Sequence, residues 1–230
     1  VGYRLPGSEV KRLSGSGYNA VFTDRFEAGE RLARLLEGYR DESCVVYALP
    51  RGGVPVGYEI SRVLEAPLEV LVSRKLGAPG QPELGIGAVT SDGVRFLNGP
   101  MVEQLGVPDD YVQRVTAEES EEAHRRARLL RGEYPEIQTR GRTAIVVDDG
   151  LATGATARAA IRSLHERGAR HVVLAVPVCA AQTEADIRAE VDDLVCLESP
   201  ADLGAIGFWY RDFNQITDEA ALELLERTRG

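Results

Sequence analysis

Neither a long hydrophobic run nor a paired-cysteine pattern occurs in the 230 residues, and each absence removes a class of protein. The longest nearly apolar stretch, His171 to Ala181, contains Pro177 and is shorter than the roughly 20 residues a membrane-crossing helix needs. No signal-peptide pattern opens the sequence, so a cytoplasmic protein with no membrane partner is the expectation. Cysteine is scarce: Cys44, Cys179 and Cys196 lie far apart, without CxxC spacing, each in or beside an apolar run. Buried free thiols are expected, not disulfides or zinc ligands. The three histidines, His124, His165 and His171, lack ligand spacing, so no metal site built from protein side chains is expected. Positive charge is also short, 27 Lys and Arg against 36 Asp and Glu for a formal charge of -9. That balance disfavours a sequence-independent grip on nucleic acid, and any anionic ligand must be held by a local site. There is no internal repeat and no low-complexity tract.

The chain is long enough for one large core, and its hydrophobic and charged fractions, 43% and 27%, are those of an ordinary globular protein. Residues 1–18 mix Gly, Ser and charge without a period and read as an irregular arm before a single domain over 19–230. Asp24 and Glu27 form a capping pair, followed by Ala28, Leu32, Leu35, Leu36 and Tyr39 at helical spacing. From Cys44 the pattern is strand, helix, strand: CVVYAL, then Val56, Ile60, Val63 and Leu64, then LEVLVS. It returns as TAIVV, a helix through Ala157, Ala160, Ile161 and Leu164 ended by Gly168, and HVVLAVPV, with DLVCL last. Strands near 44–49, 68–73, 143–147, 171–178 and 193–197 predict an α/β fold with a central, mainly parallel sheet of about five strands and helices on both faces. GIGAVTSDGVRFLN reads as a hairpin about Ser91, Asp92 and Gly93. Residues 108–131 read as a long solvated helix in which Glu121 and Glu122 stand four residues before Arg125 and Arg126.

The stretch AIVVDDGLATGAT, residues 144–156, carries the most chemistry. A strand ends in Asp148 and Asp149, a loop with Gly150, Thr153 and Gly154 follows, and a helix begins near Thr156. Amides of a glycine-containing loop at a helix N-terminus favour an anion, and the Thr153 and Thr156 hydroxyls add donors. A carboxylate pair beside that site accepts hydrogen bonds from sugar hydroxyls, so together they describe a phosphorylated sugar such as ribose 5-phosphate. The stretch lacks both the Gly-Lys-Ser/Thr ending of the P-loop and the GxGxxG dinucleotide fingerprint. In PRGG, Arg51, Gly52 and Gly53 follow the first strand, and in SRKLGAPGQPELGIGAV, Arg74 and Lys75 follow the second and enter a Gly/Pro-rich loop. In a parallel sheet these three loops share one edge.

VVDDGLATGAT resembles the motif that binds 5-phosphoribosyl-1-pyrophosphate (PRPP) in type I phosphoribosyltransferases. The likeness extends over about residues 20–228, where the DRFEAG helix and the tail GFWYRDFNQITDEA are similar to a little-characterised bacterial branch. It implies that Asp148 and Asp149 fix the ribose and that Gly150, Leu151, Ala152, Thr153, Gly154, Ala155 and Thr156 bind PRPP. It further implies that Gly52 and Gly53 donate backbone hydrogen bonds to pyrophosphate with Arg51 as a clamp, and that Arg74 and Lys75 enter a mobile flap. Mg²⁺, held through PRPP, is the implied cofactor, and a small nitrogenous acceptor, a nucleobase, the implied second substrate. A PRPP-sensing regulator without catalysis is the alternative. Residues 95–140 look like an insertion and 199–230 like a hood, whose Phe208 and Tyr210 are candidate base contacts, although packing of the tail aromatics accounts for them as well. A homodimer is compatible with this reading.

Overall fold

Five of the apolar runs become the strands of one parallel sheet in the computed structural model, which describes residues 20–40 and 42–229. The arm expected over residues 1–18 lies outside these residues. In chain order the elements are α1 (Arg25–Leu35), β1 (Cys44–Ala48), α2 (Gly53–Leu64), β2 (Leu68–Val70), β3 (Ser73–Ala78), β4 (Gln81–Thr90) and β5 (Arg95–Leu97). They continue as α3 (Gly99–Gln104), α4 (Asp109–Arg131), β6 (Thr143–Val147), α5 (Ala155–Glu166), β7 (His171–Val178), α6 (Ala181–Ile187), β8 (Asp193–Glu198) and α7 (Asp218–Arg227).

The main sheet has the order β2-β1-β6-β7-β8, and every neighbouring pair is parallel. All five residues of β1 and all five of β6 are buried, as central strands covered on both faces must be. Alternation divides them. Val46, Ala48, Ile145, Val147, Val173 and Ala175 face a core shared with α1, α2, α4 and α7. Val45, Tyr47, Ala144, Val146, Val172 and Leu174 face α5 and Ile187 of α6. Each face is therefore one parity of the same strands.

Local signals explain the helix ends. Asp24 Oδ1 accepts from the Glu27 amide at 2.9 Å while Glu27 Oε2 accepts from the Thr23 amide at 2.6 Å, a reciprocal cap at the start of α1. Leu35, expected on the apolar face, is exposed because α1 ends there. Gly168, at φ +79°, stops α5, and the Ala169 amide returns to the Leu164 carbonyl at 3.0 Å.

Two departures from the sequence reading matter for the site. Ser73–Ala78, expected as the start of a loop, is a strand that pairs antiparallel with β4, which in turn pairs with β5. This second sheet is docked, not loose: Ser163 Oγ and Arg167 Nε of α5's C-terminal end donate to Asp92 Oδ2 in the β4–β5 turn at 2.7 and 2.9 Å. Its far turn, 79–83, is exposed throughout. Helix α4 is not simply a solvated face, since Val112 packs on the second sheet and Ala123, Ala127 and Leu130 on the main core. Its charges also pair differently: Arg125 binds Glu122 three residues earlier, and Arg126 crosses to Asp218 of α7. The tail folds back over the sheet edge, where Phe22, Val178, Leu203 and Tyr210 form a small separate core. Among the described residues no helix is long and apolar enough to cross a membrane. Cys44 and Cys179 are buried and Cys196, on the outer strand β8, is half-buried; all three thiols are free.

Candidate functional site

The loops after β2, β1 and β6 lie side by side because those strands are neighbours running in the same direction. Their contact is close. A Cβ at Gly52 would collide with the Asp149 carboxylate, and one at Gly53 would lie 2.6 Å from the Val147 carbonyl oxygen and 3.1 Å from the Asp148 Cα. The glycine pair of PRGG is thus required by space, since the first loop rests on the backbone that carries the two acids. Gly53→Ala is expected to cost about 1–3 kcal/mol through overpacking, seen as a lower urea midpoint with an unchanged m-value. The third loop joins through Ser73, whose Oγ donates to the Thr156 carbonyl at 3.4 Å.

Asp148 and Asp149 are the electrostatic centre. Burial, and then the charge of Asp149, hold the Asp148 carboxyl well above the usual carboxylate range. Burial also raises Asp149, against the opposing pull of the Arg25 guanidinium, so the two titrate as a coupled pair. Arg25 is the residue that sequence reasoning missed. Its Nε donates to Asp149 Oδ2 at 2.8 Å and its Nη1 to the Asn214 carbonyl at 2.9 Å, with side-chain exposures of 9% for Arg25 and 13% for Asp149. Its Cζ lies 3.8 Å from the Phe213 ring centroid. One signal was available: Arg25 is the first residue of α1, where a cation opposes the helix dipole, and such a placement calls for a specific partner.

The loop after Asp149 divides into anchors and an exposed cradle. Leu151, expected among the PRPP-binding residues, is an anchor: its side chain is buried, and its amide donates to the Val178 carbonyl at 2.9 Å. Gly150 lies where any Cβ would meet Ile206 of the hood at 2.7 Å. Ala152 and Thr153 are exposed, and Ala155 and Thr156 partly so. Gly154 caps α5 at φ +69°, a conformation that favours glycine, and supplies no side chain to occupy the helix amides. The first bond down the helix is from the Arg158 amide to the Gly154 carbonyl at 2.9 Å, so the amides of Ala155, Thr156 and Ala157 precede the intrahelical ladder. Such a helix end favours an anion.

The remaining expected residues are placed as follows. The Pro50–Arg51 peptide is cis, and Arg51 Nη1 lies 3.7 Å from Asp218 Oδ1. The Gly53 amide is engaged by the Leu49 carbonyl at 3.0 Å, which removes it from the expected donors to a ligand. Arg74 Nε binds Glu119 Oε2 of α4 at 2.7 Å. Lys75 is exposed on the second sheet, and its Nζ donates to the Glu83 carbonyl at 3.3 Å, a contact within the β3–β4 hairpin. Tyr210, expected as a base contact, is buried: Phe213 stacks on it at 5.0 Å, Phe22 lies at 5.2 Å, and its hydroxyl donates to the Asp149 carbonyl at 2.6 Å. Its ring serves to pack the hood against the acid loop. Burial, with the Asp149 charge, pushes the Tyr210 phenol up, which keeps that donor protonated. Phe208 is 56% exposed, in the short turn Ile206–Trp209.

The family model described as the phosphoribosyl transferase domain matches residues 24–212. Proteins from two strains of Mycobacterium tuberculosis, whose names assign them provisionally to the phosphoribosyl transferases, are 44% identical over 207 residues and 90% of this chain. The chain spans about half the length of these curated relatives, 47% of each. The crystal structure of TT1426 from Thermus thermophilus superposes with a TM-score of 0.78 at 38% identity, over 91% of this chain and 99% of that one.

Proposed function

The chain belongs to the phosphoribosyl transferase domain family, and from that premise we propose that it transfers the 5-phosphoribosyl group of PRPP to a nitrogen acceptor such as a nucleobase, releasing pyrophosphate. The observation that carries this reading is the uncapped N-terminus of α5 directly after a buried carboxylate pair. The helix amides with Thr153 and Thr156 take the 5-phosphate, and the Asp148–Asp149 pair takes the ribose hydroxyls. Arg51, the Gly52 amide and Arg74 take the pyrophosphate.

In the reaction the acceptor nitrogen bonds to the anomeric carbon, the bond from that carbon to pyrophosphate oxygen breaks, and the pair of electrons leaves with the pyrophosphate. Positive charge develops on the ribose ring, so the acids beside it stabilise the transition state while the arginines neutralise the leaving group. The hood, closed over the loop by the Tyr210–Asp149 and Ile206–Gly150 contacts, excludes water that would otherwise hydrolyse PRPP.

Among the described residues no group of three or more His, Cys, Asp or Glu side chains is placed to hold a metal ion. Mg²⁺ would be held through the oxygens of PRPP, and Asp148 and Asp149, hard oxygen donors on the ribose side, are compatible with it nearby. Held there, Mg²⁺ would supply charge neutralisation at the pyrophosphate.

The test is incubation of the protein with PRPP, Mg²⁺ and a panel of purines, pyrimidines and other nitrogen acceptors, following nucleotide and pyrophosphate together. Equimolar release of both with one acceptor is the expected result. PRPP binding without product from any acceptor would favour a PRPP-sensing regulator. A protein that does not bind PRPP at all would overturn the reading.

A further inference from the structure

Helix α4 was expected to be a solvated insertion, yet it delivers a third arginine to the sheet edge. Arg126 Nη2 donates to Asp218 Oδ1 at 2.5 Å, and Arg51 Nη1 lies 3.7 Å from the same oxygen. The two guanidinium nitrogens are therefore no farther apart than those distances together. That separation suits two oxygens of a phosphorylated ligand as well as it suits one carboxylate. Arg126 is also incompletely used. Its side chain is 20% exposed, and its buried Nε has no hydrogen-bond partner among the described residues. A guanidinium offers five donors, and leaving a buried one unmatched is unfavourable.

The rest of the strip has the same character. Arg74 is held by Glu119, which stands seven residues before Arg126, two turns along the same face of α4. Asp218 is the first residue of α7, beyond the Thr217 cap, where the helix dipole favours an anion. It is 34% exposed, so the ion pair opens to solvent and can exchange. Pyrophosphate carries several charges and more acceptor oxygens than one carboxylate, and it competes well for arginine forks.

We propose that Arg126 is a third pyrophosphate-binding arginine and that Asp218 is a stand-in anion, keeping Arg126 and Arg51 in place until pyrophosphate displaces it. The proposal rests on the reading that the Arg51 loop receives pyrophosphate. It adds α4 and α7 to a site otherwise built from the loops of the sheet.

The experiment titrates the whole protein, in the presence of Mg²⁺, with PRPP, inorganic pyrophosphate and ribose 5-phosphate separately. Arg126→Gln is expected to weaken pyrophosphate and PRPP by about tenfold or more, as loss of a charge-assisted contact does, and to leave ribose 5-phosphate within about twofold. Asp218→Asn is expected to tighten pyrophosphate and PRPP severalfold, and Arg126→Lys to retain part of the affinity. Unchanged pyrophosphate affinity in Arg126→Gln, or an equal loss for all three ligands, would overturn the role of Arg126. Weaker or unaltered pyrophosphate binding in Asp218→Asn would overturn the stand-in role, and this variant tests it even where Arg126→Gln does not fold. A wild-type protein that binds ribose 5-phosphate but neither pyrophosphate nor PRPP would overturn the underlying assignment of the Arg51 loop.

Discussion

Asp148→Asn is expected to raise the thermal stability of the ligand-free protein near neutral pH while lowering its affinity for PRPP about 10- to 100-fold. The loss follows from removing a charged acceptor for ribose hydroxyls, since hydrogen bonds to charged groups contribute about 1.5–3 kcal/mol each. The gain in stability follows from burial. Asp148 is held well above the usual carboxylate range, first by desolvation and then by the charge of Asp149, so the folded protein binds its proton more tightly than the unfolded chain does. The stability this contributes is fully present below the unfolded carboxyl value of about 3.9 and is lost as pH rises through the higher folded value. Above that point the buried charge is a cost, and asparagine does not bear it. Relief of that cost raises the melting temperature. Melting temperatures of both proteins across a pH series provide the check: the gap should open with rising pH and close in acid. A gap of constant size, or a less stable variant at neutral pH, would contradict the buried-charge account. The site would then be stable in itself instead of being stabilised by its ligand.

The second large effect is expected from Arg25→Met. Methionine keeps some apolar contact with Phe213 but strands Asp149 beside Asp148 without its cation. Breaking a buried pair by removing one partner costs about 3–5 kcal/mol, here roughly 10 °C in melting temperature. The Asn214 carbonyl also loses its donor, so the hood loosens and PRPP affinity should fall with stability. Arg25→Lys, which restores charge without the planar fork or the stack on Phe213, should recover only part. A double-mutant cycle separates the causes: if the stranded charge dominates, Arg25→Met with Asp149→Asn will be more stable than Arg25→Met alone. A double variant that melts as low as the single one would show that Arg25 acts through packing against the hood.

Sequence reasoning succeeded where the signal is local. The strands from CVVYA to DLVCLE announced themselves by runs of apolar residues, and the helices between them by spacing of three and four. The acid pair, the glycine at the start of α5 and the order of the three loops could likewise be read in place. Ser73–Ala78 could not, because SRKLGA has neither a run nor an alternation, and its strand character comes from pairing with residues up to Thr90. Leu151 looked like one more member of a phosphate loop until the chain brought Cys179 and Val178 alongside it. For Tyr210 the sequence left both base contact and packing of the tail open, and folding placed it between Phe22 and Phe213.

What residue order alone determined, then, is a parallel sheet whose edge carries an uncapped helix end next to two acids, because periodicity and backbone preference act over a few neighbours. The tertiary structure decided which cations and carboxylates balance that edge. Arg25 meets Asp149 across 124 positions, and Arg126 meets Asp218 across 92. Pairings at such separations depend on the path of the whole chain, and charge by itself does not specify its partner.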